Sequence, residues 1–87
     1  MKTLSSNTDL YRYLCSLAEL LSERGSGVLA DRVRTAARQS TSFSTEFLGE
    51  ARLALREVEA TKDQLLEAHE LDELRGIVRQ LDTALAR

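Results

Sequence analysis

Apolar residues recur at intervals of three and four positions in four separate segments of the chain. This period places side chains on one face of an α-helix, whereas a half-buried strand would alternate apolar and polar positions. The most regular segment, with spacings of three, four, three and four, consists of Leu71, Leu74, Val78, Leu81 and Leu85. The pattern predicts an amphipathic helix over residues 70–86.

Three earlier segments have the same helical period, and they predict helices over residues 8–24, 27–39 and 45–60. The apolar phase changes after the third of these helices, so we expect a turn or kink within residues 61–70. The positions that define the three core faces are Leu10, Leu14, Leu17 and Leu21, then Leu29, Val33, Ala36 and Ala37, and last Phe47, Leu48, Ala51, Leu55 and Val58.

Residues at the segment ends are those that stop and start helices. Gly25 suits the left-handed conformation that ends a helix, and Ser26 can cap the next one. In the stretch "STSFST", residues 40–45, we expect Ser44 to be the N-cap of helix 3 and Phe43 to act as a hydrophobic staple. A phosphorylated loop is the functional alternative for this stretch.

The predicted fold is all-α, a compact antiparallel four-helix arrangement of two helical hairpins without a β-sheet. Short connections favour antiparallel neighbours, and the chain contains no proline where average usage of about 5% would predict about four. The 87 residues suffice for one domain, whose core is small. Because Cys15 is the only cysteine, no intrachain disulfide can add stability, and self-association is the remaining stabiliser.

Charge and hydropathy narrow the classes of partner. The net charge is −2, which argues against a general polyanion binder, but the charge is uneven: residues 1–45 hold six basic and four acidic side chains, and residues 46–87 hold six and ten. The sequence contains no run of about 18 apolar residues, so it predicts no membrane span. A single cysteine fits a reducing compartment, so we expect a cytoplasmic protein.

No residue pattern predicts an active site, a metal site or a cofactor site. His69 and Glu73 are one helical turn apart, but a zinc site needs three or four protein ligands. Cys15 shows no activating neighbour in the sequence, and we interpret it as a packed thiol. The segment that contains Gly25 and Gly27 does not include the lysine that a phosphate-binding loop requires. We therefore expect a protein that is not an enzyme.

A second set of apolar positions lies beside the predicted core faces. Tyr13 and Leu20 form such a line on helix 1, Leu53 projects away from the core face of helix 3 on the side of Gly49, and Ile77 lies beside the leucine seam of helix 4. A symmetric dimer or a partner groove would bury them. The leading hypothesis is a small helical protein-protein interaction module that self-associates or serves as a subunit of a larger assembly.

The alternative hypothesis is a regulator that contacts nucleic acid through helix 2. Arg32, Arg34 and Arg38 make this helix basic, and basic side chains on a helix can touch phosphates and base edges. The three arginines point to both flanks of the helix, and the chain as a whole is acidic. This hypothesis therefore ranks below the interaction module.

Overall fold

The computed structural model of the chain describes residues 7–38, 45–61 and 65–86. Within these ranges there is no strand, and the all-α prediction is confirmed. The helix ends lie within two residues of the predicted bounds, and the predicted turn coincides with the gap between the last two helices. The helices are α1 (Asn7–Glu23), α2 (Gly27–Ala37), α3 (Thr45–Ala60) and α4 (Ala68–Leu85).

A tight turn joins α1 to α2. Gly25 has a φ of 95°, in the left-handed region that glycine adopts without strain. The N–H of Gly25 donates to the Ser22 carbonyl at 3.2 Å and that of Ser26 to the Leu21 carbonyl at 2.9 Å, so two carbonyls at the end of α1 are satisfied. The Ser26 hydroxyl accepts from the Leu29 N–H at 3.4 Å and caps α2. The predicted helix stop and cap are confirmed.

The start of α4 is closed by a capping box. Glu67 is the N-cap residue, and the Glu70 carboxylate accepts from the Glu67 N–H at 2.8 Å. The start of α3 follows the stretch for which we predicted a cap at Ser44 and a staple at Phe43. Both of those residues lie outside the described ranges.

One hydrophobic core receives side chains from all four helices, and no polar or charged residue among those described is buried. Helix α2 packs against both α1 and α3 and contributes small side chains to the core. The radius of gyration is 11.9 Å, which matches the value of about 12 Å for a compact chain of this length. The largest fully enclosed side chains are Phe47, Leu10, Leu14, Leu21, Leu55, Leu74, Ile77 and Val33.

Two of the residues that we assigned to a second apolar line belong to this core. Tyr13 is 6% exposed and Ile77 is fully buried, so their expected place on the surface is wrong. Each helix of a four-helix arrangement meets more than one neighbour, and its buried arc is therefore wider than a single leucine stripe. Conversely, Leu71 and Leu85, which define the edges of the predicted seam of α4, are only half-buried.

Ion pairs show that α3 and α4 run antiparallel. Arg52 Nη1 and Arg56 Nη2 each lie 3.2 Å from Asp82 Oδ1, near the end of α4. Later in α3, Glu59 Oε2 lies 2.8 Å from Arg75 Nε, which belongs to the first half of α4. Earlier residues of one helix thus pair with later residues of the other, as a helical hairpin requires.

A clamp formed by Arg24 connects the end of α1 to the start of α4. The guanidinium binds the Glu70 carboxylate through two hydrogen bonds, of 2.5 Å to Oε1 and 3.1 Å to Oε2. It also donates to the backbone carbonyl of Leu65 at 2.6 Å. Because Glu70 belongs to the capping box of α4, one arginine holds both the chain before α4 and the helix end itself.

Burial predicts a large difference between Ile77 and Leu53. We expect Ile77→Ala to lower the free energy of unfolding by about 2–5 kcal/mol, because it leaves a cavity in the core. We expect Leu53→Ala, at a half-exposed site, to change it within about 0.5 kcal/mol. Urea unfolding followed by circular dichroism, at low protein concentration, measures both values. Equal losses in the two variants would contradict the placement of Ile77 in the core.

The Arg24 clamp predicts a dependence of stability on pH. Hydrogen bonds from Arg24 and from the Glu67 N–H hold the pKa of Glu70 below its ordinary value. The stabilisation is complete above the pKa of an unfolded glutamate, about 4.3, and is lost as the pH falls through the lower folded-state pKa. Unfolding measured between neutral and acidic pH should show a smaller acid loss in Glu70→Gln than in the wild type. Asp72→Asn, on an exposed carboxylate, is the control, and parallel profiles for Glu70→Gln and the wild type would refute the clamp.

Candidate interaction surface

Three large hydrophobic side chains among the described residues are exposed. They are Val28 at 83%, Leu53 at 50% and Tyr11 at 42%. Val28 lies in the first turn of α2 and Tyr11 near the start of α1, whereas Leu53 occupies the middle of α3. Leu53 is therefore the one that projects from the centre of a long helix.

Leu53 belongs to a row of residues on the side of α3 that faces away from the core. The members recur at three, four, three and four positions, and all are exposed except the half-buried glycine. We call this row the α3 face; its residues are Glu46, Gly49, Leu53, Arg56 and Ala60. The spacing is that of a coiled-coil seam, so these side chains form one nearly straight line along the helix.

Gly49 leaves an open space beside Leu53. A Cβ atom built at Gly49 would meet no atom within 4 Å. An open depression of about 380 Å³ surrounds this point, lined by Glu46, Gly49, Glu50, Arg52 and Leu53. A protruding leucine and an adjacent hollow thus occupy the same helix face.

Ion pairs border the α3 face on both edges. On the side of α2, Arg32 Nε lies 2.5 Å from Glu57 Oε2 and its Nη2 lies 3.5 Å from Glu50 Oε2. On the side of α4, Arg52 and Arg56 share Asp82. These pairs mark the two edges of the α3 face, and the buried residues on the opposite side of α3 pack the helix into the core.

Arg52 is only partly satisfied by its partner. Its Nη1 donates to Asp82 at 3.2 Å, but its Nε is buried without a hydrogen-bond partner among the residues that the structure describes. An unpaired buried donor costs free energy.

Leu20 and Tyr13, which we predicted to form one line on α1, are brought together in a groove between α1 and α4. The groove has a volume of about 140 Å³, and its lining includes Leu17, Glu70 and Glu73. Leu20 is half-buried and packs against the core. Burial, with Glu73 and Glu70 nearby, raises the pKa of Tyr13 well above its ordinary value.

Two of the three arginines predicted to contact nucleic acid form ion pairs with carboxylates of the same chain. Arg32 pairs with Glu50 and Glu57 of α3, Arg34 Nη1 lies 3.4 Å from Asp31 Oδ1, and Arg38 is exposed at the helix end. These contacts place carboxylates beside two of the three cations. Nucleic-acid binding by α2 stays a prediction, and the geometry adds no support to it.

The other residues considered for chemistry lie apart. His69 is exposed, with Nδ1 3.5 Å from Glu67 Oε2. Cys15 is a half-buried free thiol on α1, and its hydrogen bond with Tyr11 raises the pKa of that phenol. Among the described residues, no group of three His, Cys, Asp or Glu side chains is placed to hold a metal ion.

No protein-family model matches the chain, and no curated protein or solved structure is significantly similar to it. In the described parts of the chain, none of the helices combines the length and the apolar composition that crossing a bilayer requires.

Glu46 and Arg56 were missing from the residues that we predicted for partner binding. The signal was present in the sequence, because both stand at seam spacing from Gly49 and Leu53. The signal is weak because seam positions are normally apolar, and these two residues are charged.

The open space at Gly49 predicts that an alanine there stabilises the fold. A glycine inside a helix costs about 0.5–1 kcal/mol relative to alanine, and the added methyl group of Gly49→Ala meets no atom. We expect the free energy of unfolding to rise by that amount. Gly25→Ala is the matched control with the opposite sign, because the positive φ at Gly25 makes an L side chain cost about 1–2 kcal/mol. A destabilised Gly49→Ala variant would show that the space beside Gly49 is filled.

Proposed function

We propose that the protein is a small non-enzymatic helical interaction module that binds a protein partner through the α3 face. The observation that carries the proposal is the half-exposed Leu53 beside the open Gly49, in a molecule whose core is formed by other side chains. Single exposed leucines are common on protein surfaces. A leucine next to a hollow, at the centre of a regular helix face, has the form of an anchor and a pocket.

The proposed mechanism is recognition by a rigid helix. Leu53 supplies the apolar contact, and the backbone around Gly49 admits close approach of a partner side chain. Glu46 and Arg56, at opposite ends of the face, carry opposite charges and would fix the orientation of the partner. Because α3 is a regular helix whose opposite side is packed in the core, binding needs little ordering of the backbone, which lowers its entropic cost.

The proposed location is the cytoplasm. This proposal is supported by Cys15, which is a free thiol and the only cysteine in the sequence. Proteins of oxidising compartments more often stabilise small domains with pairs of cysteines.

Leu53→Asp tests the proposed function. We expect this variant to keep its helical content and its unfolding midpoint within a few degrees, because the side chain is half-exposed, and to lose the partner. The measurement is affinity capture from a lysate of the source cells, comparing wild type, Leu53→Asp and Val28→Asp by mass spectrometry. Val28→Asp is the matched control, since it introduces the same charge in place of a more exposed apolar residue on another helix.

The result that supports the proposal is a protein, either this chain or another, that wild type and Val28→Asp retain and Leu53→Asp loses. Equal capture by all three would overturn it. Unfolding of Leu53→Asp would show that Leu53 belongs to the core, and that result would also remove the α3 face as the binding surface.

A further inference from the structure

We infer that the occupant of the α3 face is α3 of a second copy of this chain, paired antiparallel about a twofold axis that lies between Gly49 and Leu53. This inference rests on the proposed function, because it assigns a partner to the same face. It is carried by two kinds of complementarity within the row, one of shape and one of charge.

The shape argument concerns Leu53 and Gly49. In an antiparallel pair of helices, each layer of the seam combines a residue from one copy with a residue from the other. With the axis midway between positions 49 and 53, Leu53 shares a layer with Gly49 of the second copy. The hollow of about 380 Å³ beside Gly49 then receives the leucine, and symmetry produces the same contact a second time.

The charge argument concerns Glu46 and Arg56, which lie at equal distances in sequence from the same axis. The register that joins Leu53 to Gly49 also places Glu46 in one layer with Arg56 of the second copy. Arg56 has a side chain that is 53% exposed, and it contacts Asp82 through Nη2 alone. A guanidinium has five N–H donors, so Arg56 can hold Asp82 and a second carboxylate together. Each dimer would contain two such pairs, one at each end of the interface.

Other pairings of the same face lack this agreement. A parallel pair would place Glu46 beside Glu46 and Arg56 beside Arg56 of the second copy, and like charges facing each other oppose association. An antiparallel pair with its axis at Leu53 would place Leu53 on Leu53 and leave both glycines unfilled. Of these arrangements, only the antiparallel pair with its axis between Gly49 and Leu53 both fills the space beside Gly49 and pairs Glu46 with Arg56.

The proposed contact between the two α3 helices is small. Helix α3 has 16 residues and a length of about 24 Å, so a single pair of these helices buries less than the standard interface of about 1,600 Å². We therefore expect a weak dimer that forms reversibly as the protein concentration rises. Leu53 should supply most of the favourable free energy of dimerisation, and the charged residues should set the orientation of the two helices.

Charge exchange tests the register. Glu46→Arg places two arginines face to face at each end of its own dimer, and Arg56→Glu places two glutamates face to face at each end. A mixture of the two variants restores opposite charges at both ends, because Arg at 46 meets Glu at 56 and Arg56 meets Glu46. The double variant Glu46→Arg/Arg56→Glu restores them in its own dimer. Asp72→Arg, on the exposed side of α4, is the control for a change of charge.

Sedimentation equilibrium at increasing protein concentration gives the dissociation constants, and circular dichroism establishes that each variant is folded. We expect each single variant to dimerise at least about tenfold more weakly than wild type, and the mixture and the double variant to approach wild type. The double variant guards against misfolding, because it contains both substitutions. Asp72→Arg should dimerise as wild type does.

A mixture that associates no better than either variant alone would overturn the antiparallel register. So would a wild type that stays monomeric at every concentration. If either result occurs while Leu53→Asp still loses a captured protein, the self-pairing fails and the proposed function stands. If Leu53→Asp loses neither a captured protein nor dimerisation in sedimentation, the proposed function fails together with this inference.

Discussion

Burial of apolar side chains in one core shared by four short helices is the interaction on which the rest of this structure depends. The core contains no buried polar or charged side chain among the described residues, so its stability does not rest on internal hydrogen-bond networks. A chain of this length buries only about 60–65% of its unfolded surface, which leaves a small margin. Helix α2 shows how the space is used, because its alanines and one valine fill the region between α1 and α3 with little volume.

Ion pairs add order to this core. Among the described residues, the basic first half of the chain meets the acidic second half through Arg24 with Glu70 and through Arg32 with Glu50 and Glu57. Exposed pairs contribute little to stability individually. Their geometry matters more, because each connects helices that belong to different halves of the sequence. The uneven charge along the chain thus places basic side chains of the first half beside carboxylates of the second half in the folded protein.

The fold class, the helix bounds and the turn at Gly25 could be predicted because they depend on local spacing and on residues with one strong conformational preference. The division between core and surface was harder. Tyr13 and Ile77 stand beside a leucine stripe in the helical projection, and only the position of the neighbouring helices decides that they are buried. Leu53 and Gly49 lie on the outward side of α3, as predicted. They stand nearly opposite the core face of this helix, where the other helices of a four-helix arrangement make no contact. The clamp between Arg24 and Glu70, 46 residues apart in the sequence, had no local signal at all.

That clamp has a consequence for how the chain assembles. Helices adjacent in sequence pack against each other, and contacts of this kind close short loops, which costs little entropy. The contact of Arg24 with Glu70 joins residues 46 positions apart and encloses α2 and α3. Contacts between helices adjacent in sequence therefore cost little loop-closure entropy, whereas the Arg24–Glu70 contact carries the larger entropic cost of closing a loop that contains two helices.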